Sequence, residues 1–167
     1  MLLLEHGFRT FVYSRSPAPN PKAALVEACG ARYLSSEVVS PEALARETGP
    51  IDLVYEAVGV ASISFAVMRL LAPNAVFVFT GIPPVLPAIP VEADTLMRQL
   101  TLANQAVIGT VNADAPAFEA ALRDLMRFRQ RWPEAMARLI SGRHAPERYR
   151  ELLLGRAQGI KQVIRFA

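Results

Sequence analysis

Apolar residues occur along this chain in short blocks, separated by glycine and proline, and the blocks alternate between strand-like and helix-like spacing. Residues 10–14 (Thr-Phe-Val-Tyr-Ser) are rich in β-formers and predict a short strand. A loop with three prolines follows, and Pro21 suits the first turn of a helix over 22–28 that ends at Gly30. Residues 32–34 predict a second strand. Ser40 is an N-cap candidate with Pro41 in the first turn, and the helix it opens stops at Gly49 and Pro50. Residues 51–57 and 75–80 (Ala-Val-Phe-Val-Phe-Thr) are almost unbroken apolar runs, the pattern of strands buried on both faces of a parallel sheet. Between them an amphipathic helix is expected over 61–72, broken by Pro73 and Asn74. A helix within 91–102 and a strand over 105–111 complete this part.

The texture then changes. Long helical spacing covers 114–131, followed by expected helices over 132–141 and 146–156 and a last strand over 162–166. Strand–helix alternation up to about residue 111 implies βαβ units and a parallel, doubly wound sheet. The fold class is therefore α/β: an incomplete doubly wound, Rossmann-type sheet with an α-rich C-terminal extension. The expected division is 1–113 for the dinucleotide-binding domain and 114–167 for the extension. Residues 1–7 read as the last turns of a helix, so the first strand and its Gly-rich turn are expected to be missing; no G-x-G-x-x-G occurs in the chain.

Composition narrows the picture. Of 167 residues, 52% are apolar and 20% charged, enough for an aliphatic core and unlike a disordered chain. The net charge of +3 is mild. Arg123, Arg127, Arg129 and Arg131 form a loose basic cluster that reads as a solvated helix face, without the aromatic interleaving of a nucleic-acid patch. No nucleic-acid or membrane partner is expected. The single cysteine, Cys29, excludes an internal disulfide and a thiolate metal cluster, and a reducing, cytoplasmic setting fits. His6 and His144 stand far apart with no acidic or thiol cluster around them, so no metal ligand is expected here.

Ligands of doubly wound sheets bind beyond the carboxyl ends of the strands. Those ends fall at Ser14, Arg15 and Ser16; at Ala57, Val58 and Gly59; at Thr80, Gly81, Ile82 and Pro83; and at Thr110, Val111 and Asn112. An acidic residue after the second strand of the full fold takes the ribose hydroxyls of NAD, whereas an arginine favours the 2′-phosphate of NADP. Here Arg15 stands between two serines, with no acid, which points to NADP or dual use; an ordinary surface arginine reads the same way. Gly59 either lets the backbone run close to the cofactor or simply turns the chain into the next helix. Asn112 suits an amide or sugar hydroxyl, and equally a turn or a helix N-cap.

Taken in order, the runs GARYLSS, IDLVYEAVGVAS, LAPNAVFVFTGIP, VEAD, LANQAVIGTVNA, FEAALRDL, RWP and GIKQVIRF resemble the C-terminal, nucleotide-binding half of the zinc-dependent, medium-chain glucose 1-dehydrogenases. The likeness runs over nearly the whole chain. It implies a chain that binds NADP, or NAD, during oxidation of a sugar C1 hydroxyl. Ser14, Arg15 and Ser16 would then hold the adenosine phosphate. Thr80, Gly81 and Ile82, with Thr110, Val111 and Asn112, would flank the nicotinamide. Asn112 would also reach the sugar, and Lys161 would lie near the cofactor. Catalytic residues and zinc would belong to a catalytic domain not present in these residues, against which 114–167 would pack. Two departures stand out: the family's E-A-T-G reads Glu56-Ala57-Val58-Gly59, and its L-x-P-N-G ends in Ala75. Alternatives are a non-catalytic nucleotide-binding or interaction module, or half of a split dehydrogenase with a separate catalytic chain. Self-association into a homo-oligomer is expected.

Overall fold

The computed structural model describes residues 1–155 and 159–166. In chain order the elements are α1 (Leu2–Glu5), β1 (Phe11–Ser14), α2 (Pro21–Ala28), β2 (Arg32–Ser35), α3 (Pro41–Thr48), β3 (Ile51–Glu56), α4 (Ala61–Met68), β4 (Leu71–Phe79), α5 (Ala93–Leu102) and β5 (Ala106–Gly109). They continue with α6 (Ala115–Arg131), α7 (Pro133–Leu139), β6 (Ile140–His144), a 3-10 turn (Pro146–Arg148), α8 (Tyr149–Leu154) and β7 (Lys161–Ile164). The chain forms two compact units: Met1–Val38 with Asp114–Ala167, and Val39–Ala113.

The second unit is built on a three-stranded parallel sheet in the order β3-β4-β5. Helix α3 starts where Ser40 accepts a hydrogen bond from the Ala43 N–H at 3.3 Å, with Pro41 inside the first turn. Phe77 of β4 is completely buried, and Met68 at the end of α4 nearly so. The Phe77 and Phe79 rings lie 4.7 Å apart and tilted, a favourable aromatic geometry. Helix α4 is mostly apolar and buries Ser64, Val67 and Met68, while Ser62 is exposed.

Two sequence expectations change here. The helix expected over 61–72 ends at Met68, and β4 begins at Leu71, ahead of Pro73 and Asn74. Those two residues form a bulge inside the strand: Ile51 pairs with Leu71, but Leu53 pairs with Val76. Asn74 adopts φ 63°, and proline, which cannot donate to a ladder, is tolerated at such a bulge. Side-chain amides serve the surrounding backbone. Gln105 Nε2 donates to the carbonyls of Leu71 and Ala72, each at 3.0 Å, and Gln99 Nε2 donates to that of Met68 at 3.1 Å.

In the first unit β1 and β2 pair in parallel, Phe11 opposite Arg32 and Ser14 opposite Ser35. The Phe11 ring is faced by the guanidinium groups of Arg9 and Arg32 at 5.3 and 5.5 Å. Asn20 caps α2, its Oδ1 accepting from Lys22 and Ala23 N–H at 3.0 and 2.9 Å. Asp114 caps α6 in the same way through Ala117 N–H at 3.0 Å. The helix expected over 132–141 stops at Leu139, and residues from Ile140 form β6, parallel to β7. Gly142 permits this: a side chain there would run into Gln162 of β7. The expected helix over 146–156 opens with the 3-10 turn, and its last expected residue, Arg156, lies outside the described residues.

Candidate functional site

Register decides which residues meet at the carboxyl edge of the β3-β4-β5 sheet. Glu56 pairs with Phe79, and Phe79 with Gly109, so the three strands end level. The ladder continues one step further, with Thr80 N–H donating to the Glu56 carbonyl at 2.8 Å and Thr110 N–H to that of Phe79 at 2.9 Å. Thus Gly59, Thr80, Gly81, Ile82, Thr110, Val111 and Asn112 emerge along one edge. Ile82 and Val111 are exposed there. Asn112 is also exposed, and its N-cap reading fails because Asp114 caps α6. The Thr80 hydroxyl is engaged, donating to the Glu56 carbonyl at 2.8 Å.

At this edge the backbone segments 56–59 and 80–83 touch directly. Gly59 has φ 75°, a conformation unfavourable for residues with a Cβ, and a Cβ there would lie 2.7 Å from the Ile82 carbonyl. A Cβ on Gly81 would meet the Gly59 amide and would lie 2.7 Å from a Glu56 carboxylate oxygen. Gly59 thus turns the chain and leaves room for the Ile82 and Pro83 backbone beside it. The glycine signal in the sequence was visible; the identity of the segment approaching it was not. Glu56 itself was absent from the candidate residues. Its Oε1 accepts from Val58 and Gly59 N–H at 2.8 and 2.7 Å, and its Oε2 is buried without a hydrogen-bond partner among the described residues.

In the first unit, Ser14, Arg15 and Ser16 follow one another at the carboxyl end of β1. Buried Ser35 donates its hydroxyl to the Arg15 carbonyl at 2.6 Å, and Tyr33 donates to the Ser16 carbonyl at 2.7 Å. Strand β2 thus fixes the backbone of this turn, while the Arg15 and Ser16 side chains stay exposed. Lys161 opens β7 and is exposed; its N–H and that of Ile160 donate to Ser141 Oγ at 3.4 and 2.6 Å.

Three of the four clustered arginines face acids: Arg123 with Glu119 at 3.9 Å, Arg127 with Asp124 at 3.4 Å and Arg131 with Glu5 at 2.8 Å. A solvated helix face has this pattern. Burial pushes the Cys29 thiol up, partly offset by the N-terminal ammonium. His144, at the end of β6, joins a polar chain. One ring nitrogen lies 2.7 Å from Gln162 Oε1 and the other 3.2 Å from Arg148, which forms an ion pair with Glu151 at 2.5 Å. Among the described residues there is no group of three or more metal-binding side chains, and no helix is long and apolar enough to cross a membrane.

Parallel strands joined by helices, with a glycine-lined backbone edge at their carboxyl ends, define the nucleotide-binding type of α/β fold. The chain belongs to the family described as glucose dehydrogenase C-terminus, whose profile matches residues 1–166. It is 28% identical over 164 residues to a glucose 1-dehydrogenase of Methanocella arvoryzae, covering 98% of this chain and 46% of that protein. It is 31% identical to glucose 1-dehydrogenase 1 of Caldivirga maquilingensis, covering 98% and 45%. Among solved structures it matches the glucose dehydrogenase of Haloferax mediterranei in complex with NADP, Zn and gluconolactone, with a TM-score of 0.82 and 27% identity over 94% of this chain and 43% of that one. The chain spans less than half the length of each of these relatives.

Proposed function

We propose that this chain is the NADP-binding part of a zinc-dependent, glucose-type dehydrogenase that oxidises a sugar at its C1 hydroxyl. The observation that carries this reading is the level carboxyl edge of β3, β4 and β5, where the Gly59 and Gly81 backbones leave no room for side chains, within a chain of the glucose dehydrogenase family. Each unit by itself offers donors suited to one part of a dinucleotide. At the adenosine end, the exposed Arg15 guanidinium and the hydroxyls of Ser14 and Ser16 suit a ribose 2′-phosphate, with no acid on the β1 turn to repel it. At the nicotinamide end, the backbone of Thr80, Gly81 and Ile82 and that of Thr110 and Val111 would flank the ring, and the exposed Asn112 amide would meet ring amide or sugar hydroxyl. Lys161 would add a cation near the cofactor. When bound, the dinucleotide supplies a hydride acceptor and zinc a Lewis acid; this chain's residues hold and orient.

Residues 1–113 are assigned to the nucleotide-binding domain. The segment 114–167 is assigned to packing against the zinc-bearing half of such a dehydrogenase, and apolar side chains exposed along α6 support this: Phe118, Leu122, Leu125 and Met126. The same exposure favours a second reading, in which the chain associates with a separate catalytic chain or with its own copies. A reducing, cytoplasmic setting suits its one buried thiol.

Fluorescence titration of the chain with NADPH and NADH, beside Arg15→Ala, tests the reading. Tighter NADPH binding that weakens about tenfold in the variant, with NADH unaffected, is expected. No binding of either at millimolar nucleotide overturns it.

A further inference from the structure

At the β-sheet edge described above, Glu56 bonds to both of the segments meeting there. Its carbonyl accepts from Thr80 N–H at 2.8 Å, from Gly81 N–H at 3.1 Å and from the Thr80 hydroxyl at 2.8 Å. Its side chain turns back and accepts from Val58 and Gly59 N–H through one oxygen. The other oxygen lies against Gly81, shielded from water and without a hydrogen-bond partner among the described residues. A buried polar atom left unsatisfied is costly, and such atoms persist where the surrounding structure fixes them. Here the carboxylate is held between two glycines that have no space for a Cβ. Its main chain anchors 80–81 and its side chain anchors 58–59, so one residue sets the spacing of both backbone segments.

We propose that Glu56 is the positioning residue of the dinucleotide site. Through Oε1 it holds the 57–59 turn and through its carbonyl the 80–81 segment, so that the backbone flanking the nicotinamide is formed before ligand arrives. This rests on the functional reading given above. Preorganisation of this kind raises affinity by removing an ordering cost at binding. The role belongs to the oxygen acceptor at its place, and glutamine, which keeps an oxygen there without the charge, replaces it.

The test compares the full chain with Glu56→Gln and Glu56→Ala, by hydrogen exchange of the Val58 and Gly59 amides and by NADPH titration. In Glu56→Ala these two amides exchange on the order of tenfold faster and NADPH binds about tenfold more weakly, while Glu56→Gln stays within about threefold of the native chain on both counts. Far-ultraviolet circular dichroism identifies a variant that does not fold, and the glutamine variant then decides alone: native exchange and affinity support the role. Native affinity in a folded alanine variant overturns it, and so does equal weakening in both variants, which would assign the effect to charge. If the native chain protects both amides but binds no dinucleotide, the functional reading is what fails, and Glu56 is then an element of the fold with nothing to position.

Discussion

Strand β4 and helix α6 are both long and both carry large apolar side chains, but only one of them is sequestered. In β4, Phe77 is fully covered and Leu71, Ala72 and Ala75 are nearly so, with β3 on one side and β5 on the other. In α6, Phe128 alone is buried, and Phe118, Leu122 and Met126 each keep close to two thirds of their surface in water. Hydropathy marks a residue as suited to burial; neighbours decide whether burial happens. For α6 the spacing 118, 122, 125 and 126 traces one face, separate from the face that carries Phe128.

Substitutions can break this contrast. Phe77→Ala is expected to cost about 3–5 kcal/mol in urea unfolding, since a filled core position becomes a cavity; a loss below about 1 kcal/mol would mean that β4 is less enclosed than described. Gly59→Ala comes next, at about 2 kcal/mol or more, from the positive φ and the contact with Ile82 together. Asp114→Ala removes the cap of α6 and is expected to cost about 1 kcal/mol. Replacing Phe118 and Leu122 together by serine should change stability by only about 0.5 kcal/mol in either direction, while lowering binding of a hydrophobic dye. A large destabilisation there would show that the α6 face is already covered in solution.

The smallest effect concerns acid. Arg148 holds the Glu151 carboxyl below its ordinary range, first through their hydrogen bond and then through charge. A carboxyl lowered in the folded state contributes stability above its unfolded pKa, and loses that contribution as pH falls through the lowered value. The melting-temperature difference between the native chain and Glu151→Gln should therefore be present at neutral pH and shrink below about pH 4. A difference unchanged down to pH 2 would contradict it. The pair is exposed, so the amplitude is expected to be small.

Most of the architecture was legible because its signals are local. Ser40 stands where the cap of α3 is needed, and the apolar runs at 51–57 and 75–80 are the strands β3 and β4, although β3 is covered less than its pattern implies and Tyr55 is exposed. The failures have non-local causes. Pro73 and Asn74 read as a terminator because the bulge that accommodates them depends on β3 and on two glutamines some thirty residues away. Residues 140 and 141 read as the end of a helix because the partner of β6, the strand β7, lies about twenty residues on. The carboxyl-edge residues followed from the strand pattern, whereas Glu56 escaped notice because a glutamate ending an apolar strand gives no local sign of which amides it will meet.

The first unit is assembled from the two ends of the chain. Arg131 forms an ion pair with Glu5 and lies over the Trp132 ring at 4.6 Å, so α1 and the end of α6 meet across 126 residues of sequence. A chain made from its amino terminus onward carries Val39–Ala113 as a continuous stretch, able to collapse as soon as it is free. Met1–Val38 must wait for residues not yet synthesised, β1 and β2 being paired with each other. Synthesis thus imposes an order in which the inner stretch matures early, while Met1–Val38 find their final neighbours only after the residues from Asp114 onward have emerged.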